Sequence, residues 1–578
     1  MADSRIDMPT KSLVDSRTSD AREPRRLSGQ CPPNPARASK GLPARVIELG
    51  ILVVTAAALS LHFVHLGADF PNHSPWMDWS KYTDEGWYGD AAIRQLQLGH
   101  WYVRGDFNPA VALPVWPALE FLLFSVTGVS LVAARALAVG VFCGIVVAAY
   151  LLVRRCSGSH SGIGSPIGRP EAVSFAGATG AALLAASPFC YAFTRLAILE
   201  PLLVLLMLLA LLAASGVRAG RVWPAIALGV ILPLMVLTKT TAVFLLPSVA
   251  WMLWAASTYR VGRFIRSGAI VAAIGGGIWG AYFGLVVRPR FLEDYRYLFS
   301  ANGYTGMTRE NAWEVVATTV RDGVWMGRYL YPIALALVGL ALVFWRRCFR
   351  NPLIPALLLW AGGYMAFLAY HDNLQPRYYL VIAVPLTLLA PVVVEELLRP
   401  RAGRRRWWVW PAWALAAVGF VGVILTDARD TLGYVRAPQY TFERAAKELR
   451  QVVASDKGHS EMVLSISGSD ISLMTGLPSI CDDFGTMPLE DRAAAYRPGW
   501  YATWNQVDDD KMDALSPLFH LRRVAAFPAM DDPERNLLIL YRLDPPEAVV
   551  PHKKKRATVP KRLQTKMGQQ PSETQLEH

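Results

Sequence analysis

The sequence predicts an α-helical polytopic membrane protein with a small C-terminal α/β domain. Three observations predict it. Of 578 residues, 53% are hydrophobic and only 18% charged, a balance unlike that of soluble domains. Apolar runs of the ~17–25 residues that cross a bilayer recur along most of the chain. Near residue 428 the composition changes, and mixed polar and apolar periodicity replaces the runs. The net charge of +13 comes largely from short Lys and Arg clusters between the runs. That placement reads as membrane topology and excludes a nucleic-acid face.

Residues 1–45, rich in Ser, Pro, Arg and Asp, read as a disordered cytoplasmic tail. The run 46–66 is the first spanning helix, too long and too late for an ordinary cleaved signal peptide. The segment 110–127 could span or lie in the interface. If it spans, Arg154-Arg155 and every later basic loop move outside, so the positive-inside rule decides for an interfacial helix pair. Pro114, Pro117, Trp116 and Glu120 agree with that choice. The remaining spans are 131–153, 173–194, 197–217, 222–238, 241–257, 267–287, 329–345, 352–370, 378–398 and 407–426. With the first they make eleven, which places the N-terminus inside and the C-terminus outside.

Two long external loops follow, 67–130 and 288–328, the second with an amphipathic stretch at 311–324. Residues 435–546 form a small external α/β domain. Helical spacing covers 442–453, and strand patterns cover 462–466 and 536–543. A second tail, 547–578, shows no sign of a fold. Of six cysteines only Cys481 falls in the external domain, so no disulfide framework is expected there.

Four polar clusters lie on the external side of this topology. The first, 82–92, gathers Asp84, Glu85 and Asp90 with Trp87 and Tyr88 at a membrane surface. Carboxylates there can act as general bases, bind a cation or bind sugar hydroxyls. The plain alternative is a solvated acidic loop. The second pairs Arg195 with Glu200, a carboxylate inside an apolar run that is costly unless paired or hydrated. The third is Lys239 among Thr238, Thr240 and Thr241, a donor set suited to phosphate or to a simple anchor. The fourth is 371–379, where Arg377 can grip a phosphate and Tyr378 can donate a hydroxyl. Acids first and phosphate-type cations later fit a phosphorylated lipid-linked donor and acid-assisted transfer.

These clusters in order resemble the GT-C glycosyltransferase superfamily, near bacterial protein O-mannosyltransferase and lipid A aminoarabinose transferase relatives. The resemblance covers residues 46–430. It rests on Asp84-Glu85 with Tyr88 and Ala92, Arg195 with Leu199-Glu200, Thr238-Lys239, and Gln375-Pro376-Arg377-Tyr378. It implies a GT-C bundle that moves a sugar, with inversion, from a polyprenyl-phosphate donor to a lipid, glycan or protein acceptor at the external face of the cell membrane. Asp84 would be the base, with Glu85 sharing or positioning. Tyr88, Asp90, Arg195 and Glu200 would shape the substrate site, and Lys239, Arg377 and Tyr378 would hold the phosphate. The chain reads Asn108-Pro109-Ala110 where relatives often carry Pro-Pro-Leu, and Glu200 where many carry Asp.

A divalent cation such as Mg or Mn could join the carboxylates, although no metal-specific ligand spacing is visible. A transporter or lipid flippase is the alternative reading. It would place its polar groups near the midplane, often within inverted repeats. Neither repeats nor midplane clustering is evident in the sequence. A scaffold that displays the external domain is a third, and predicts that Asp84, Lys239 and Arg377 tolerate substitution.

Overall fold

The computed structural model describes residues 42–157, 173–217, 221–301, 307–371, 374–399, 409–505 and 509–546. The second predicted tail, all but the last four residues of the first, Asp372-Asn373 and most of the basic cluster 399–406 lie outside the described residues.

Each predicted span coincides with helix. Seven helices, among the described residues, are long and apolar enough to cross a bilayer, and five shorter apolar ones accompany them. The shorter ones include Val115–Thr127, the segment expected at the interface. The predicted span 173–194 is broken in two, Phe175–Ala186 and Pro188–Phe193. Ser187 leaves the helical region there, and its hydroxyl accepts from the Cys190 amide at 3.2 Å. Proline at the first position of the second piece explains the break, because its ring cannot continue the preceding turn.

Burial separates the inner from the outer helices. Leu199–Gly216 and Leu380–Leu398 are packed on nearly every side. Val261–Tyr282 and Val409–Arg436 are also apolar yet mostly uncovered, with Trp410 at 82% and Leu415 at 74% exposure. An apolar face this continuous needs an apolar solvent, and lipid supplies it. At one end of the bundle basic residues converge on helix C-termini. Arg399 donates to the Ser157 carbonyl, Arg347 to the Glu396 carbonyl and Arg155 to the Ser215 carbonyl. Cations there complement the helix dipoles.

The C-terminal portion holds the helix Thr441–Ser455 and five strands: β1 (Val463–Leu464), β2 (Ser479–Ile480), β3 (Trp500–Trp504), β4 (His520–Pro528) and β5 (Leu537–Asp544). Their order is β2-β1-β3-β5-β4, parallel across the first three and antiparallel across the rest. The predicted strand at 462–466 shortens to two paired residues, since its chain soon turns into the helix Gly468–Thr475. The apolar face of Thr441–Ser455 (Phe442, Leu449, Val453) packs on Trp500, Trp504 and Leu538. Tyr82 of the first long loop enters this same core, its ring 5.9 Å from Trp504. The C-terminal layer is therefore built partly from the loop it covers.

Candidate active site

The first loop carries a short turn, Trp79–Lys81, and then the helix Asp84–Leu98. Asp78 caps the turn by accepting from the Ser80 amide at 2.9 Å. Asp84 and Glu85 sit in the first turn of the helix, where its dipole favours negative charge. Successive helical side chains diverge by about 100°, whereas residues four apart share a face. The two acids therefore part, while Asp84 and Tyr88 face the same way.

Asp84 turns to Arg377. The Asp84 Oδ2 lies 2.9 Å from the Arg377 guanidinium, and the Thr83 hydroxyl is 3.0 Å from Oδ1. Asp78 holds the same arginine from the other side, accepting from its backbone amide at 2.8 Å and its guanidinium at 2.5 Å. Glu200, fully buried in the first turn of Leu199–Gly216, pairs with Lys239 and lies 3.9 Å from Arg377. The Tyr378 ring sits between the cations, 4.4 Å from the Lys239 ammonium and 4.7 Å from the Arg377 guanidinium. The loop helix and three turns between bundle helices thus bring Asp78, Asp84, Glu200, Lys239, Arg377 and Tyr378 into one buried cluster.

Electrostatics follow from that burial. Burial holds the Asp84 carboxyl above the ordinary carboxylate range; Arg377 pulls it down, and Asp78 and Glu200 push it back up. Tyr88 feels the same groups, and burial raises its phenol well above the ordinary value. A carboxylate with increased proton affinity beside two fixed cations can take a proton from a hydroxyl while the cations receive a departing anion.

Three predicted site residues stand elsewhere. Glu85 makes a two-pronged ion pair with Arg135 at 2.8 and 2.5 Å and accepts from the Ala197 amide at 2.9 Å. Arg195 packs over Tyr191 and donates to the Val64 and His65 carbonyls, closing the end of the first helix. Asp90 pairs with Arg94 at 2.7 Å and accepts from Ser469 at 2.9 Å. Burial pushes Asp90 up to about 7, against the pull of Arg94. The expected Arg195–Glu200 partnership is not formed, since each has a nearer partner. Asp78 and Arg135 were not singled out by sequence. Asp78 lies six residues before Asp84 and shares its arginine, a pairing that only the fold brings about. Among the described residues no group of three or more His, Cys, Asp or Glu is arranged to hold a metal.

No protein-family model matches the sequence, and no curated protein does. Solved structures do. The crystal structure of ArnT from Cupriavidus metallidurans bound to undecaprenyl phosphate aligns with a TM-score of 0.53 at 14% identity, covering 86% of this chain and 97% of that one. The apo form of that protein gives 0.51 at 14% identity, over 86% and 98%. The class is thus a polytopic membrane bundle with a C-terminal α/β layer. In particular, the fold is the one ArnT has, shared over 86% of this chain and 97% of that one.

Proposed function

We propose that this chain is an inverting membrane glycosyltransferase that takes a sugar from a polyprenyl-phosphate donor. The observation that carries the reading is the buried contact of Asp84 with Arg377, beside Lys239. The neighbour of known structure that binds undecaprenyl phosphate supports the donor class. In the reaction an acceptor hydroxyl attacks the anomeric carbon on the face opposite the phosphate. Its proton passes to the Asp84 carboxylate as the new C–O bond forms. The old bond from that carbon to the phosphate oxygen breaks, and its electron pair leaves with the polyprenyl phosphate. Arg377 and Lys239 balance the charge that develops on the phosphate. Phosphate is already a good leaving group, so no strong general acid is needed.

Asp78 and Tyr378 hold the two cations in place, and Glu200 fixes Lys239. The acceptor is a lipid, glycan or protein hydroxyl or amine presented from the external side. The basic end of the bundle supports a cytoplasmic placement for that end, with the α/β layer external.

The test uses the purified full chain in lipid with labelled polyprenyl-phosphate sugars. Wild type is expected to release free polyprenyl phosphate, and Asp84→Asn to lose about 10²–10⁴ of the turnover. Equal turnover by both would remove Asp84 from the mechanism. Donor crossing the bilayer without cleavage would favour a transporter.

A further inference from the structure

The helix that bears Asp84 begins without a cap of its own. Thr83 occupies the N-cap position, and a threonine there ordinarily accepts a hydrogen bond from the amide two or three residues on. It makes no such bond. Its backbone, at φ −137° and ψ −42°, is outside the extended conformation that capping uses. Its hydroxyl instead shares its proton between Asp84 Oδ1 at 3.0 Å and the Trp79 carbonyl at 3.1 Å. The amide that Thr83 would cap is that of Gly86. That amide donates at 2.6 Å to Asp470, a residue 384 positions away in the external layer.

The contact is built, not incidental. A Cβ on Gly86 would stand 2.2 Å from the Asp470 nitrogen, so glycine alone lets the two backbones meet. Trp87 donates to the Ile466 carbonyl at 3.0 Å on one side, and Ser469 donates to Asp90 on the other. The Asp470 side chain is buried, and its second oxygen has no hydrogen-bond partner among the described residues. Burial, then the nearby Glu85 carboxylate, raises its proton affinity, so asparagine is a close mimic of its neutral form.

We propose that Asp470 is a positioning residue of the active site: it caps the Asp84–Leu98 helix from the external layer and so leaves Thr83 to orient the Asp84 carboxylate. Without it the Gly86 amide is buried and unpaired, and the Thr83 oxygen must rotate toward it and away from Asp84. The consequence falls on turnover and not on donor binding, because Arg377 and Lys239 are untouched.

This rests on the reading of Asp84 as the base, and two measurements on the full-length protein keep the two separable. The first is amide hydrogen exchange across residues 84–88, which reads the cap without any reaction. The second is steady-state kinetics of Asp470→Ala and Asp470→Asn in wild-type and Thr83→Ala backgrounds. Asp470→Ala is expected to speed exchange at 84–88 and to lower kcat by about 10- to 100-fold with the donor KM unchanged. Asp470→Asn, which keeps the acceptor oxygen and remains the usable variant if the alanine form does not fold, restores kcat to within about threefold. In the Thr83→Ala background the Asp470→Ala loss shrinks to less than about threefold, since both act on one hydrogen bond. Unchanged exchange in Asp470→Ala would overturn the cap. Faster exchange with unchanged kcat, or full additivity with Thr83→Ala, would overturn the positioning role. Full activity in Asp84→Asn would sink the base reading and the catalytic half of this proposal, with the exchange signal still reporting the cap.

Discussion

Two buried ion clusters flank the same loop helix and are built to opposite ends. At its C-terminal side Asp90 and Asp106 meet Arg94 and Arg492, two carboxylates for two guanidiniums. Asp106 also accepts from the Cys481 amide at 3.1 Å, and Arg94 from its other side donates to the Phe107 carbonyl at 3.0 Å. Formal charge is balanced, and the cluster ties the loop to the C-terminal layer. At the N-terminal side Asp78, Asp84 and Glu200 meet Arg377 and Lys239, leaving one carboxylate in excess. Burying an uncompensated charge is expensive, and a fold that served stability alone would avoid it. The formal balance suits a clamp, and the formal surplus suits the base proposed at Asp84.

Substitutions can break that contrast. The largest expected effect is that of Asp84→Asn on turnover, and it should come with a melting temperature near that of wild type. Asp106→Asn is the mirror case. It strips two buried guanidiniums of a shared partner and is expected to cost about 3–5 kcal/mol of stability, read by thermal or denaturant unfolding in detergent. The folded fraction should keep its kcat. If Asp106→Asn instead abolished turnover without loss of stability, the clamp would belong to the catalytic machinery.

The acid side of the pH profile is a finer test. As the proposed base Asp84 would work only when ionised, and its burial raises its proton affinity. Activity should therefore fall as pH is lowered, with a midpoint above the ordinary carboxylate value of about 4. Glu200 pushes Asp84 upward, so Glu200→Gln should move that midpoint to lower pH in a kcat/KM titration. A midpoint that stays fixed would show that another group controls the limb. The smallest effect expected is that of EDTA. Both Asp78 oxygens and one oxygen each of Asp84 and Glu200 already face Arg377 or Lys239, so few carboxylate oxygens of this cluster are left for a divalent ion. Turnover should survive chelation, and a chelator-sensitive rate restored by Mg or Mn would overturn that.

Much of this was legible in the sequence because its signals are local. Run length and hydropathy located the long apolar helices, and Val115–Thr127, expected at the interface, is a helix of 13 residues. Asp84, Glu200, Lys239, Arg377 and Tyr378 stood out as polar residues at apolar boundaries, and the fold gathers them. Glu85, Asp90 and Arg195 carried the same signal, yet their charge holds elements together, since composition does not say which way a helical side chain points. Asp78 was not singled out, because its partner Arg377 lies 299 residues away in the chain. Asp470 gave no signal at all: its partner is a backbone amide, which has no sequence identity. Short strands such as Val463–Leu464 were blurred for a related reason, their pairing being set by neighbours remote in the chain.

The bond between Gly86 and Asp470 also bears on biogenesis. Synthesis runs from the first residue, so the loop carrying Asp84 is delivered early, while the side chain that completes its first turn is made only after the last helix of the bundle. A bundle inserted without that final layer would hold Arg377 and Lys239 but leave the Gly86 amide without its Asp470 acceptor. On the proposed reading of Asp84 and Asp470, the order of translation would act as a safety catch, arming the loop only once the C-terminal layer has been made.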